Sequence, residues 1–150
     1  MFTLNQKPSE GLAVLATYDP ASVAASTVTT GWVDQSVFFA LAVILQTGVL
    51  GASATVDAKL QQATDSSGTG AKDITGKAIT QIVKATGDNK QAIIQMKEAD
   101  LDTENNFRYV RLSITVGTAA SIVGATLLGF LSRYQSAATY NQAATVQVIG

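Results

Sequence analysis

Ser53-Ala54-Thr55-Val56-Asp57-Ala58-Lys59-Leu60-Gln61 decides the fold, because small or apolar side chains alternate with polar ones at a period of two. Ala54, Val56, Ala58 and Leu60 fall on one face of a strand, and Thr55, Asp57, Lys59 and Gln61 on the other. One face packs and the other meets water. Residues 107–116 repeat the pattern, with Val110, Leu112, Ile114 and Val116 opposite Tyr109, Arg111, Ser113 and Thr115.

Working outward, residues 27–33 and 37–45 read as strands, the second so uniformly apolar that it suits a strand covered on both faces. A helix of two to three turns is the alternative for 37–45. Residues 64–70, Thr-Asp-Ser-Ser-Gly-Thr-Gly, form a loop by composition. Residues 76–84 and 91–98 flank a turn-rich connector and predict a β-hairpin. Ile74, Ala78, Ile79, Ile82 and Val83 fit an amphipathic helix equally well. Residues 124–134, with Leu127, Leu128, Phe130 and Leu131, predict a central strand apolar on both sides. Residues 1–25 read as an extended or partly helical N-terminal arm, 26–135 as the domain and 136–150 as a C-terminal tail. Residues 144–149 of that tail are suited to adding a strand to a sheet edge or to a neighbouring subunit. The whole predicts an all-β fold: a two-sheet antiparallel sandwich, jelly-roll-like, of about seven or eight strands.

The chain of 150 residues is one ordinary domain's length and contains neither His nor Cys. Imidazole and thiol are thereby excluded as general base, nucleophile and transition-metal ligand, and disulfides cannot staple the fold. Lys and Arg number 10 against 11 Asp and Glu, a formal charge of -1 with no basic cluster, so nucleic acid is not an expected partner. Asn5, Gln6, Lys7 and Pro8 interrupt the start where a secretory signal requires an apolar stretch. Residues 35–56 and 112–132 are uncharged and long enough to cross a bilayer as helices. Their Val, Ile, Thr and Gly content reads as strands and turns instead, with no membrane partner expected.

Chemistry-bearing motifs are few. Gly68-Thr69-Gly70-Ala71-Lys72 evokes a phosphate cradle, yet Gly70 and Gly76 have the wrong spacing and Lys77 is followed by Ala78. Glu98, Asp100, Asp102 and Glu104 recur at every second residue and would form a weak divalent-cation site if the strand continued. A solvated acidic turn accounts for them without one, and no cofactor is expected. Carboxylate pairs for glycoside hydrolysis are not singled out by any spacing, and Trp32 reads as a core or interface anchor, so no enzyme activity is expected.

Residues 51–65, then 68–74, then Phe107-Arg108-Tyr109-Val110-Arg111-Leu112 resemble a family of small proteins encoded with tailed-bacteriophage and prophage head genes. The resemblance runs from about Gly31 to Ala137: a Gly-Trp-Val opening, an alternating strand, an Asp-Ser-rich loop, a hairpin, a Tyr-Val-Arg strand and a Gly-rich final strand. It implies a virion structural protein, similar to β-sandwich capsid decoration or cement proteins. Such a protein would sit on the capsid exterior, reach it from the host cytoplasm during assembly, and bridge subunits of the major capsid protein. The implied contacts fall on anchors near the ends, Phe2, Leu4, Tyr18, Tyr134 and Tyr140, of which Tyr18 and Tyr134 fit equally well as caps on the sandwich core. The sheet edges a sandwich leaves open favour self-association, as a homotrimer or, second, a dimer. A head-completion or tail-tube subunit, a carbohydrate-binding spike module and a small holin-like membrane protein are the alternatives.

Overall fold

A computed structural model describes residues 5–149. Ten strands run along it: β1 (Leu12–Val23), β2 (Ser26–Thr29), β3 (Val33–Asp34), β4 (Phe38–Thr47), β5 (Thr55–Ala63), β6 (Lys72–Ala78), β7 (Ile82–Val83), β8 (Gln91–Lys97), β9 (Tyr109–Gly117) and β10 (Ser121–Ser132). A single α-helical turn, α1 (Pro8–Gly11), leads into β1, and another, α2 (Lys84–Gly87), follows β7. No described helix is long and apolar enough to cross a membrane.

All pairings are antiparallel, and the strands form two sheets of order β1-β10-β4-β8 and β2-β9-β5-β6, with β3 on β9 and β7 on β5. The pairs β1 with β10, β2 with β9, β4 with β8 and β5 with β6 are nested. The chain is in effect one long hairpin with its tip at β5 and β6, rolled so that alternate pairs fall into opposite sheets. That winding is the jelly roll, as the alternating strands predict.

The alternation places the core. Leu41, Val43 and Leu45 of β4, Val123, Ala125 and Leu127 of β10, and Ile94 and Met96 of β8 are buried on the inner side of the first sheet. Val56, Ala58 and Leu60 of β5, Val110, Leu112, Ile114 and Val116 of β9, and Ile74 of β6 are buried on the inner side of the second. Burying each large apolar side chain contributes about 1.5–3 kcal/mol, which no disulfide supplements here.

Three expectations differ from what the chain does. The segment read as an arm is, over Leu12–Val23, a full strand: its Ala13, Ala16 and Val23 enter the core, and Leu12 pairs with Phe130 and Val23 with Ser121. The expected hairpin of 76–84 with 91–98 does not form. β6 ends in the second sheet, β8 begins in the first, and Ala85 to Lys90 carries the chain from one to the other. The helix alternative fails as well, because Ile74 alone of its apolar set is buried. Residues 27–33 are two short strands, not one. At the break Thr30 is buried, donating its N–H to the Leu112 carbonyl (3.0 Å) and accepting from the Leu112 N–H through Oγ1 (3.0 Å). The ten strands exceed the expected count through the two-residue pieces β3 and β7.

Candidate interaction surface

The outer sides of the two sheets are unlike. On the second sheet the outward residues of β5 and β9 with their neighbours form a polar mesh. The hydroxyls of Thr27 and Thr115 meet at 2.8 Å, Lys59 donates to Asp73 at 2.7 Å, Gln61 to Asp73 at 3.0 Å and Arg111 to Gln61 at 3.0 Å. Arg111 also lies over the Trp32 ring at 4.5 Å. This side is solvated and its polar groups are matched.

The first sheet presents apolar rows instead. Register aligns Leu12, Phe130, Ala40 and Lys97 in one row, and Val14, Leu128, Ala42 and Gln95 in the next. A third row holds Thr17, Thr126, Ile44 and Ile93. Aligned residues on neighbouring strands share a face, and this is the face opposite the core. Ile93 is 67 % exposed, and Ile44, Leu128 and Phe130 are half-buried with no element of the described chain laid across them. A groove of about 480 Å³ crosses the face, lined by Ala40, Ala42, Gln95, Lys97 and Phe130 among others, with Lys77 and Asp100 also at its walls. Residues 37–45 are thus covered on one side only. Their double-sided apolarity, like that of residues 127–131, was the sequence signal for this surface.

Of the anchors named from the sequence, Phe2 and Leu4 lie outside the described residues. Tyr18 and Tyr140 pack against the core, Tyr140 with its ring edge-on to Phe38 at 5.4 Å between centroids. Tyr134, just past β10, is 75 % exposed. The apolar anchor that sequence reasoning missed beside it is Phe39, exposed at the same end of the sheet and covered on one ring face by Arg133 at 4.2 Å. Trp32 is half-buried against Gly68, whose backbone (φ +88°) leaves no space for a Cβ at 2.7 Å from Trp32 Nε1. It is no exposed platform.

The acidic residues at 98–104 do not converge. Glu98 pairs with Arg133, Asp100 with Lys77 at 2.9 Å and Asp102 with Lys72 at 2.5 Å, while Glu104 stands exposed. Lys72 and then Asn105 hold Asp102 below the ordinary aspartate range. Burial pushes Asp100 up, but the Lys97 N–H and Lys77 outweigh it and leave the group lowered. Asp100 and Asp102 are thus held in the ionised form, each against its own lysine. Among the described residues no three His, Cys, Asp or Glu side chains group as metal ligands would.

A jelly-roll sandwich with one polar and one apolar outer side suits a structural or binding role. No protein-family model and no curated protein matches the sequence. Among solved structures, the chain is similar to a carbohydrate-binding module described as CBM4 (12 % identity over 75 % of this chain and 66 % of that one, TM-score 0.43). It is similar also to the SPBc2 prophage-derived protein YomS (11 % identity, 77 % and 92 %, TM-score 0.40). A third similarity is to a protein of an IBDV viral particle (10 % identity, 92 % of this chain and 37 % of that one, TM-score 0.48). The jelly-roll assignment rests on the strand order itself.

Proposed function

We propose that this chain is a virion structural protein, a capsid decoration or cement protein that stabilises a phage head by bridging major capsid subunits from outside. The observation that supports it most is the apolar outer side of the first sheet, where Ile93 is exposed and Ala42, Ile44, Leu128 and Phe130 lie half-buried in the outward rows. Contiguous apolar surface on a rigid scaffold marks an interaction site. The sandwich needs no reactive group to serve, since a shell multiplies many modest contacts by copy number. The resemblance to head-gene proteins supplies the class of partner, and the two-faced sandwich supplies the way it would lie: apolar side down, Thr-rich side out.

The test is sedimentation of the purified chain with emptied, expanded heads of the phage that encodes it. Ile44→Lys and Ile93→Lys are expected to lower head binding by about tenfold or more, since each lysine places a charge where an apolar contact worth over about 1.4 kcal/mol would form. Thr115→Lys, on the opposite side, is expected to bind as the parent does. Equal binding by all three variants, or no binding by the parent, would rule the reading out.

A further inference from the structure

The two long edges of the first sheet are treated differently by the chain. Along β1, the tail returns: Gln142 donates its N–H to the Val14 carbonyl at 2.7 Å, and Asn141 Oδ1 accepts from the Val14 N–H at 2.7 Å. That edge is capped from within. Along β8 nothing equivalent occurs. Apart from the ladder with β4 and the bond from the Lys97 N–H to Asp100 (2.9 Å), the β8 main chain makes no hydrogen bond among the described residues.

Edge strands are ordinarily guarded by charge, brevity or cover. In the second sheet β6 carries Lys72, Asp73 and Lys77, and β2 is only 4 residues long. β8 carries charge only at its last residue, Lys97, where Lys77 and Asp100 also lie; from Gln91 to Met96 it has none, and its outward Ile93 has no paired strand on the open side. Over Gln91 to Met96 it is an unguarded edge.

The same chain carries a segment suited to it. Residues 134–149 hold no charged side chain, so they match the uncharged edge without desolvating an ion. Thr145-Val146-Gln147-Val148-Ile149 is rich in β-formers, yet it joins no strand, and Val146 is 95 % and Ile149 85 % exposed. Beyond Thr145 its main chain makes no hydrogen bond among the described residues. It cannot serve its own β8, because Val148 and Ile149 lie beside Pro8, Leu12 and Val14 on the β1 side, across the width of the sheet.

We propose that residues 145–149 of one copy add as a strand to the free edge of β8 in a second copy, so that chains associate head to tail. In that pairing Val146 and Val148 share one face, where Ile93 gains the neighbour it lacks, and the unpaired amides and carbonyls of both segments are satisfied together. The interface is heterologous, with donor and acceptor on different parts of the surface, so it propagates until a ring closes. This holds whether or not the protein binds a phage head.

The deciding experiment compares masses by light scattering for the parent, a donor variant (Val146→Asp with Val148→Asp) and an acceptor variant (Ile93→Lys with Gln95→Lys). All changes are at exposed positions, and circular dichroism checks that each variant keeps the parent's β spectrum. The parent is expected to be a multimer of the 15.6 kDa chain, and each variant alone a monomer. Mixed, the two variants should form a one-to-one heterodimer, because each retains the half that the other has lost. A monomeric parent, a variant that keeps the parent's mass, or a mixture that stays monomeric overturns the proposal. Should a variant fail to fold, amide exchange on the parent decides: β8 and residues 146–149 must gain protection together as concentration rises, and unprotected amides there refute the pairing.

Discussion

Leu112 sits at 0 % exposure on β9, aligned with Leu60 on β5 and pointing at the first sheet. Leu112→Ala removes that contact and leaves a cavity, so urea unfolding should show a loss of about 2–5 kcal/mol. Gly68 acts through the backbone. An alanine there pays about 1–2 kcal/mol for its left-handed conformation and drives a methyl into Trp32. Trp32 is the one tryptophan of the sequence, so Gly68→Ala should shift the intrinsic emission as well as lower stability. Charge gives a pH dependence with a definite sign. Asp73 is held below the ordinary aspartate value by Lys59 and Gln61, Asp88 by Lys84 and the Leu50 N–H, and Asp102 by Lys72 and Asn105. The folded chain therefore binds fewer protons than the unfolded one in acid. These groups contribute fully above the unfolded value of about 3.9, and the contribution is lost as pH falls through the lowered folded values. Urea midpoints are expected to be level from about pH 7 to 5 and to fall below about pH 4, less steeply in Asp88→Asn.

At the scale of elements, β1 is where sequence reading and structure part most. Deleting residues 1–18 would strip most of β1 from β10 and open the core at Ala13 and Ala16. The truncated chain is expected to aggregate on expression, as judged by the soluble fraction. Strands β4, β5, β9 and β10 were legible because local alternation or a continuous apolar run fixes them within a few residues. β1 was not, since Asp19 and Pro20 interrupt it and its register shifts between Tyr18 and Ala21, which erases the period of two. The partner of β8 was illegible for another reason. A loop that leads from one strand to the next carries no local mark of whether it folds back or crosses to the opposite sheet. For the candidate surface, the apolar outward residues of β4 and β10 could be read as doubly covered strands, but not that one side would lie bare. Such bareness depends on what fails to pack there, which is a property of the whole chain.

The whole molecule is a nested hairpin whose outermost pair joins its most distant parts. Val23 and Ser121 are partners, yet on a ribosome adding about 5–20 residues per second the second follows the first by roughly 5–20 s. Until then β1 has nothing to pair with, and the apolar rows of β4 wait for β10. Nucleation by the outermost pair is therefore late: among the described residues, β5 and β6, the tip of the roll, are the only long strands adjacent in sequence that pair, and they can form early. Final closure waits for β10 and runs at the millisecond-to-second pace of topologies dominated by distant contacts. Nascent chains stalled before residue 121 should accordingly be cut by protease throughout β1 and β4, and the freed product should resist.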